Sequence, residues 1–256
     1  MPKWDAAIAT QNPRILYRTV QLLKKLGLKF IICSPEDSRC DQSHVIITGV
    51  DEGHENHDGR VIVLEDFDVD LVRIEIMTKL HNIISPYRAI VGIDPGMTSG
   101  VAMVIDGIVV YKNSLLSPER IAELCERLVL YAEKLFPESQ KIVRLGTGSK
   151  LFAALLLRSI AKSTSNLTLE LVNEKHTTII GGARSDESSA ILIAGRNGRG
   201  MTHDDIIIEP KDGYIRSLKQ FVKKLTRGQR ILTSTEAREI LTKDEPLEDA
   251  LKLIMS

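Results

Sequence analysis

The first third of the chain alternates short apolar runs with a helical stripe. Asp5-Ala6-Ala7-Ile8-Ala9-Thr10 is the compact apolar run of a buried strand. Asn12 and Pro13 follow as an N-cap and a first-turn proline, whose missing N–H costs nothing there. Ile15, Leu16, Val20, Leu23 and Leu26 then keep one helical face, and Gly27 stands where that helix should end. Strands are predicted over residues 29–33, 44–48 and 60–64, and a second amphipathic helix over about 69–81, with Val72, Ile76 and Leu80 on one side.

Strand, helix, strand in this order predicts a small Rossmann-like α/β domain over residues 1–84. Its first loop, Thr10-Gln11-Asn12-Pro13, has no glycine and so lacks the fingerprint of a dinucleotide site. A binding or scaffolding role is expected for it. Ile84-Ser85-Pro86-Tyr87 reads as the junction, because a proline disfavours continuation of the helix before it.

Residues 88–200 change rhythm. Residues 89–93 and 101–105 are apolar runs, Asp106-Gly107 is a two-residue hairpin signal, and 108–111 is the returning strand. Ser117-Pro118 opens a helix to about Phe136, with Ile121, Leu124, Leu128 and Tyr131 inside. A strand over 141–145, a helix over 150–161, a strand over 167–172 and a helix over 186–195 complete this part. Residues 201–256 are expected to form a third, helical part. Tyr214, Ile215, Leu218, Phe221, Val222 and Leu225 mark one helical side there, Ser234 or Thr235 is the expected cap of a short second helix, and Pro246 precedes a last one.

Charge changes this picture only locally. Lys+Arg and Asp+Glu both number 34, so no global field attracts a polyanion. Between Lys211 and Lys243, however, nine Lys/Arg face three Asp/Glu, and the neutral average conceals a basic C-terminal arm. The three cysteines, Cys33, Cys40 and Cys125, are an odd number without C-x-x-C spacing. No disulfide framework or zinc site is therefore expected, and a reducing compartment is. The chain enters a strand-like run directly after Met1-Pro2-Lys3-Trp4, and no apolar stretch reaches membrane-spanning length. A soluble, cytoplasmic protein with no membrane partner is the expectation, with monomer and homodimer both open.

The candidate chemistry lies in acids at element ends. In Val91-Gly92-Ile93-Asp94-Pro95-Gly96-Met97-Thr98-Ser99-Gly100 a buried strand ends in an aspartate and turns sharply into the next strand. A carboxylate so held can bridge two cations, as metal-ion hydrolysis of phosphodiesters requires. The plainer alternative is a turn aspartate that satisfies loop N–H groups. Glu174 follows a predicted strand, and Asp186 opens a predicted helix after Ser185, where the helix dipole alone would favour an acid. Glu187 neighbours Asp186 but points about 100° around the helix.

Gly92-Ile93-Asp94-Pro95-Gly96 resembles the first-strand motif of RuvC-type resolvases and their YqgF-type relatives within the RNase H-like superfamily. Val172-Asn173-Glu174-Lys175-His176-Thr177-Thr178 is similar to the D-E-R-x-T-T segment of the YqgF branch, and Asp186-Glu187-Ser188-Ser189-Ala190 to the acidic start of the final helix. The resemblance spans roughly 110 residues. It implies an RNase H-like fold, with a mixed five-stranded sheet flanked by helices. It also implies a Mg²⁺- or Mn²⁺-dependent nuclease in which Asp94, Glu174 and Asp186 are both catalytic residues and metal ligands, Asp94 bridging two ions.

Three positions depart from the pattern. Leu145-Gly146-Thr147-Gly148 stands where resolvases carry a fourth-strand glutamate, and Ser189 where they carry a second helix acid. Asn173 also replaces an aspartate. A decayed domain that only binds nucleic acid or protein is therefore the second reading. A sugar-kinase-like phosphate loop is a third, though that fold needs two lobes. Arg184 and Arg196, in the glycine-rich segments flanking the last helix of this part, and Arg216, Lys219, Lys223, Lys224, Arg227 and Arg230 in the arm are the expected nucleic-acid contacts. His176 is a candidate proton shuttle, and Asp51–Gly59, with His54 and His57, a weaker metal candidate.

Overall fold

The computed structural model describes residues 2–50, 52, 59–163, 168–174 and 185–255. The chain forms two compact units, Met1–Ser85 and Pro86–Ser256. Each is an α/β unit.

In the first unit, β1 (Trp4–Ala9), β2 (Phe30–Cys33), β3 (Ser43–Gly49) and β4 (Val61–Leu64) pair in parallel in the order β2-β1-β3-β4. Helix α1 (Pro13–Leu26) begins as its sequence dictates. Asn12 Oδ1 accepts from the N–H groups of Arg14 and Ile15, and Gly27 ends the helix at φ 69°, a left-handed conformation that glycine adopts without strain. Ile15, Leu22 and Leu23 from α1, and Val72 and Ile76 from α2 (Val69–Leu80), bury one face of the sheet against Ala6, Ile8, Val45 and Ile47.

The opposite face corrects an expectation. Cys33 at the end of β2 and Cys40 in a 3-10 turn (Ser38–Gln42) form a disulfide, with Cα atoms 6.1 Å apart. Counting cysteines and their spacing could not reveal it, because both pack into one apolar cluster with Ala7, Ala9 and Ile46 through tertiary folding. The argument for a reducing compartment loses its basis. Cys125 is free and buried, and burial pushes its thiol up to about 12.

The second unit holds a six-stranded sheet where five strands were expected. Its order is β10-β9-β8-β5-β6-β7, from β5 (Arg88–Asp94), β6 (Ser99–Ile105), β7 (Ile108–Leu115), β8 (Gln140–Gly146), β9 (Thr168–Val172) and a two-residue β10 (Arg199–Gly200). β5, β6 and β7 are antiparallel neighbours, β8 and β9 run parallel to β5, and β10 is antiparallel to β9. So short a strand carries no periodic signal, and only pairing with β9 defines it.

Two glycines bring α5 (Asp186–Ala194) onto this sheet at backbone distance. A Cβ at Gly92 would stand 2.2 Å from the Ala190 carbonyl oxygen, and one at Gly100 would stand 2.0 Å from that of Asp186. The other end of the helix is held by Arg144, buried in β8 beside Gly92. Its Nη1 donates to the Ala194 carbonyl at 2.8 Å, and its Nε pairs with Glu170 at 2.8 Å. A cation at a helix C-terminus satisfies an orphan carbonyl and the dipole together.

The sheet's other face is covered by α3 (Pro118–Leu135), capped by Ser117, and α4 (Lys150–Ser163) packs against α3. The segment expected as a separate third part is built into this unit. α6 (Asp212–Leu225), α7 (Ser234–Thr242) and α8 (Leu247–Met255) share one apolar cluster with Leu151, Ala154 and Leu155 of α4. Arg158 of α4 is wholly buried there, donating to the carbonyls of Ile206, Ile240 and Leu241. The cap of α7 is Thr233 rather than Ser234 or Thr235, because Glu236 at the third position returns a hydrogen bond to it.

Replacing Gly100 by alanine should therefore cost about 3 kcal/mol in urea unfolding, since backbone rather than a yielding side chain blocks the methyl group. Gly213→Ala is the contrast: nothing lies within 4 Å of its Cβ position, and a gain of about 0.4–1 kcal/mol is expected.

Candidate functional site

Asp94 is the last residue of β5, half-buried, and its register partner on β6 is Gly100. Because α5 starts against Gly100, its first residue, Asp186, comes alongside Asp94. Ser185 caps that helix, accepting from the Ser188 N–H. Ser189 is one turn on from Asp186, on the same face, and its hydroxyl hydrogen-bonds the Asp94 carboxylate.

Glu174 reaches the same end of the sheet from beyond β9. Its Oε1 accepts from the Gly148 N–H at 2.9 Å, and its carboxylate fills the notch that the missing side chain of Gly146 leaves at the end of β8. Thr147, at the place of the expected fourth-strand acid, is spent on structure. Its N–H and hydroxyl both donate to the Val172 carbonyl, at 3.0 and 3.2 Å. Glu187 is turned aside and pairs with Lys112 of β7 at 3.0 Å.

Asp94 is thus the electrostatic centre of the site. Burial is the largest cause that pushes its carboxyl up to about 6, and the neighbouring negative charges of Glu174 and Asp186 add to it. The Ser189 hydroxyl works the other way, because it stabilises the ionised form. Asp94 has no ion-pair partner among the described residues. Nor do those residues gather three His, Cys, Asp or Glu side chains closely enough to form a ready metal-ligand group.

The expected nucleic-acid contacts divide. Arg216, Lys223, Lys224 and Arg227 are exposed on or just beyond α6. Lys224 Nζ donates to Thr98 Oγ1 at 2.8 Å and so lies against the loop that follows Asp94. Lys219 lies 3.4 Å from the Ser234 hydroxyl. Arg230 pairs with Glu236 at 2.6 Å, so its charge serves the α6–α7 connection. Arg196 is half-buried in the turn after α5. Arg184, His176, and His54 and His57 lie outside the described residues.

In the first unit, Glu52 binds backbone N–H groups at or just beyond the ends of β1 and β3. It accepts from the N–H groups of Gln11 at 2.6 Å and Gly49 at 2.7 Å. Burial alone would raise its carboxyl, but the Thr10 hydroxyl and these N–H groups hold it below its ordinary value.

Sequence reasoning missed Ser189 as a partner of Asp94, and Gly146 and Gly148 as the seat of Glu174. The i, i+3 spacing of Asp186 and Ser189 was the available signal for the first. The glycines acquire meaning only once β8 and β9 are paired. No protein-family model matches the chain, and no curated protein matches it. Among the described residues no helix is long and apolar enough to cross a membrane.

The raised Asp94 carboxyl makes a stability prediction. The folded protein holds its proton more tightly than the unfolded chain, so stability is lost as pH rises from roughly 4 to about 6. Asp94→Asn removes that loss. Allowing for solvent screening of a half-buried group, the variant should be more stable by about 1 kcal/mol at pH 7, or roughly 2–4 °C in Tm, and should gain nothing at pH 4. Calorimetry at the two pH values checks this; equal gains at both would remove the electrostatic explanation.

Proposed function

We propose that the second unit is an RNase H-like domain of RuvC- and YqgF-like type that hydrolyses nucleic-acid phosphodiester bonds with Mg²⁺ or Mn²⁺. The observation that carries this reading is the placement of Asp94, Glu174 and Asp186, from three separate elements, at one end of the sheet, near enough for the charges of Glu174 and Asp186 to raise the Asp94 carboxyl. The order β9-β8-β5-β6-β7, with an antiparallel β5-β6-β7 and parallel β8 and β9, supports it. The parallel order of the first sheet supports a Rossmann-like reading of that unit.

The donor set suits a hard divalent cation. Three carboxylates offer oxygen ligands, and the negative charge on Asp94, without an ion-pair partner among the described residues, favours a cation beside it. Asp94, Glu174 and Asp186 are the residues that would hold it, drawing closer together than they stand. Such an ion, when bound, activates water and neutralises charge on the leaving oxygen. The chain's own contribution is to position the carboxylates: Ser189 orients Asp94, and the Gly148 N–H orients Glu174.

A second reading, a binding module on a nuclease fold, is favoured by Thr147 and Ser189. Neither supplies a carboxylate, and Thr147 is committed to β9. Cleavage assays with Mn²⁺ and Mg²⁺ on single-stranded, branched and RNA–DNA substrates separate the two. The nuclease reading expects metal-dependent cleavage that falls by about 10²–10³-fold in the folded Asp94→Asn protein. A wild type inert on all these substrates gives way to the binding module. An Asp94→Asn protein as active as wild type moves the chemistry elsewhere.

A further inference from the structure

A cleft of about 560 Å³ opens within the second unit beside the loop that follows Asp94. Thr98 from that loop, Ser114 from the end of β7, Ser117 at the cap of α3, Arg120 from the first turn of α3, Lys224 from the end of α6 and Arg227 just beyond it line the cleft. Lys224 Nζ, donating to Thr98 Oγ1, ties α6 to the loop. Met97 packs against the apolar cluster of the C-terminal helices, so the cleft's elements are fixed to one another.

Its charge is one-sided. Arg120, Lys224 and Arg227 are exposed cations, and neither arginine makes an ion pair among the described residues. Glu248 is the one acid in the lining, and it is turned onto the start of α3. Its Oε1 accepts from the Ser117 hydroxyl at 2.8 Å and the Glu119 N–H at 3.2 Å. Among the described residues the lining includes the hydroxyls of Thr98 and Ser114, while that of Ser117 is committed to Glu248, and it has no aromatic side chain. Hydroxyls and cations grip phosphate oxygens, and without an aromatic platform a base has nothing to stack on.

We infer that this cleft holds the phosphodiester backbone of the nucleic-acid strand next to the phosphate at Asp94, without sequence preference. The inference rests on the proposed nucleic-acid substrate but not on cleavage. It gives Arg120 a role that the basic arm alone did not suggest. It also concentrates the arm's contribution on Lys224 and Arg227, leaving Arg230 to its pairing with Glu236.

Binding of the full chain to fluorescein-labelled single-stranded DNA, and to the same sequence as RNA, is measured by anisotropy from about 50 to about 200 mM salt, without divalent ions. Removing three contacts in Arg120→Gln/Lys224→Gln/Arg227→Gln should flatten the slope of log K against log salt by about 2 units, at about 0.7 per phosphate contact. Arg120→Gln/Arg227→Gln, which keeps the Lys224–Thr98 hydrogen bond, should flatten it by about 1.4 units and guards against a misfolded triple variant. Arg216→Gln/Lys223→Gln removes the same charge as that double variant from α6 outside the cleft and should flatten it less. Equal slopes for wild type and the folded double variant overturn the cleft alone, as does an equal loss in the outside variant. A wild type that binds neither DNA nor RNA overturns the cleft together with the nucleic-acid reading.

Discussion

The approach of α5 to the sheet at backbone distance is the constraint on which the candidate site depends. A helix normally rests on a sheet through a layer of side chains. Here Gly92 and Gly100 remove that layer on β5 and β6, so the Ala190 and Asp186 carbonyls nearly touch the strands. Ala190 and Ala194, fully buried, keep the helix side of the contact equally thin. Arg144 fixes the far end of the helix, leaving little freedom to slide or tilt. Only because α5 sits so close do Asp186 and Ser189 arrive at Asp94. A bulkier residue at either glycine would move two members of the site at once.

The same geometry creates an electrostatic cost. Three carboxylates share one end of a sheet, and the most buried chemistry falls on Asp94. The neutral chain segregates its charges, with acids at the strand ends and exposed cations on α6 beside the loop that follows them. That juxtaposition is set by packing. Arg158 satisfies carbonyls at the end of α7 that would otherwise be buried unpaired, and Phe221 meets Phe152 edge-on with ring centres 5.1 Å apart. The C-terminal helices are therefore part of the domain, and the position of Lys224 is a property of the fold rather than of a loose basic tail.

Most elements were legible because their signals are local. Asn12, Pro13 and Gly27 bound α1 as their chemistry requires, and Ser117, Asp106-Gly107 and Ser185 mark their elements equally well. What was missed has two origins: pairing that only the folded chain supplies, and one local signal, the Thr233-x-x-Glu236 capping box, that the sequence does contain. β10 exists only through pairing with β9, and the Cys33–Cys40 bridge only through a shared apolar face. Thr233 outcompeted its neighbours as a cap because Glu236 reciprocates and also holds Arg230. In the site, three acids could be named from motif and position. Of the groups that orient them, Ser189 had a signal in its i, i+3 spacing from Asp186, whereas the Gly148 N–H had none, since a glycine in a turn looks ordinary until the sheet is assembled.

Thr147 and Ser189 have different physical consequences at the site. At the end of β8, Thr147 is engaged by Val172, and the next N–H, that of Gly148, donates to Glu174; a fourth carboxylate there would compete for a space that Glu174 already fills. On α5, Ser189 places a hydroxyl where an acid would add a third negative neighbour to Asp94, and its hydrogen bond eases the ionisation that those neighbours oppose. Both residues moderate repulsion while leaving three carboxylates together. A surface that only bound a polyanion would gain from losing the carboxylates themselves, because each repels phosphate. Asp94 ends β5, and the cation-lined cleft opens beside the loop that follows it. On the proposed nuclease reading, the acids would meet the metal ions and the basic residues the strand.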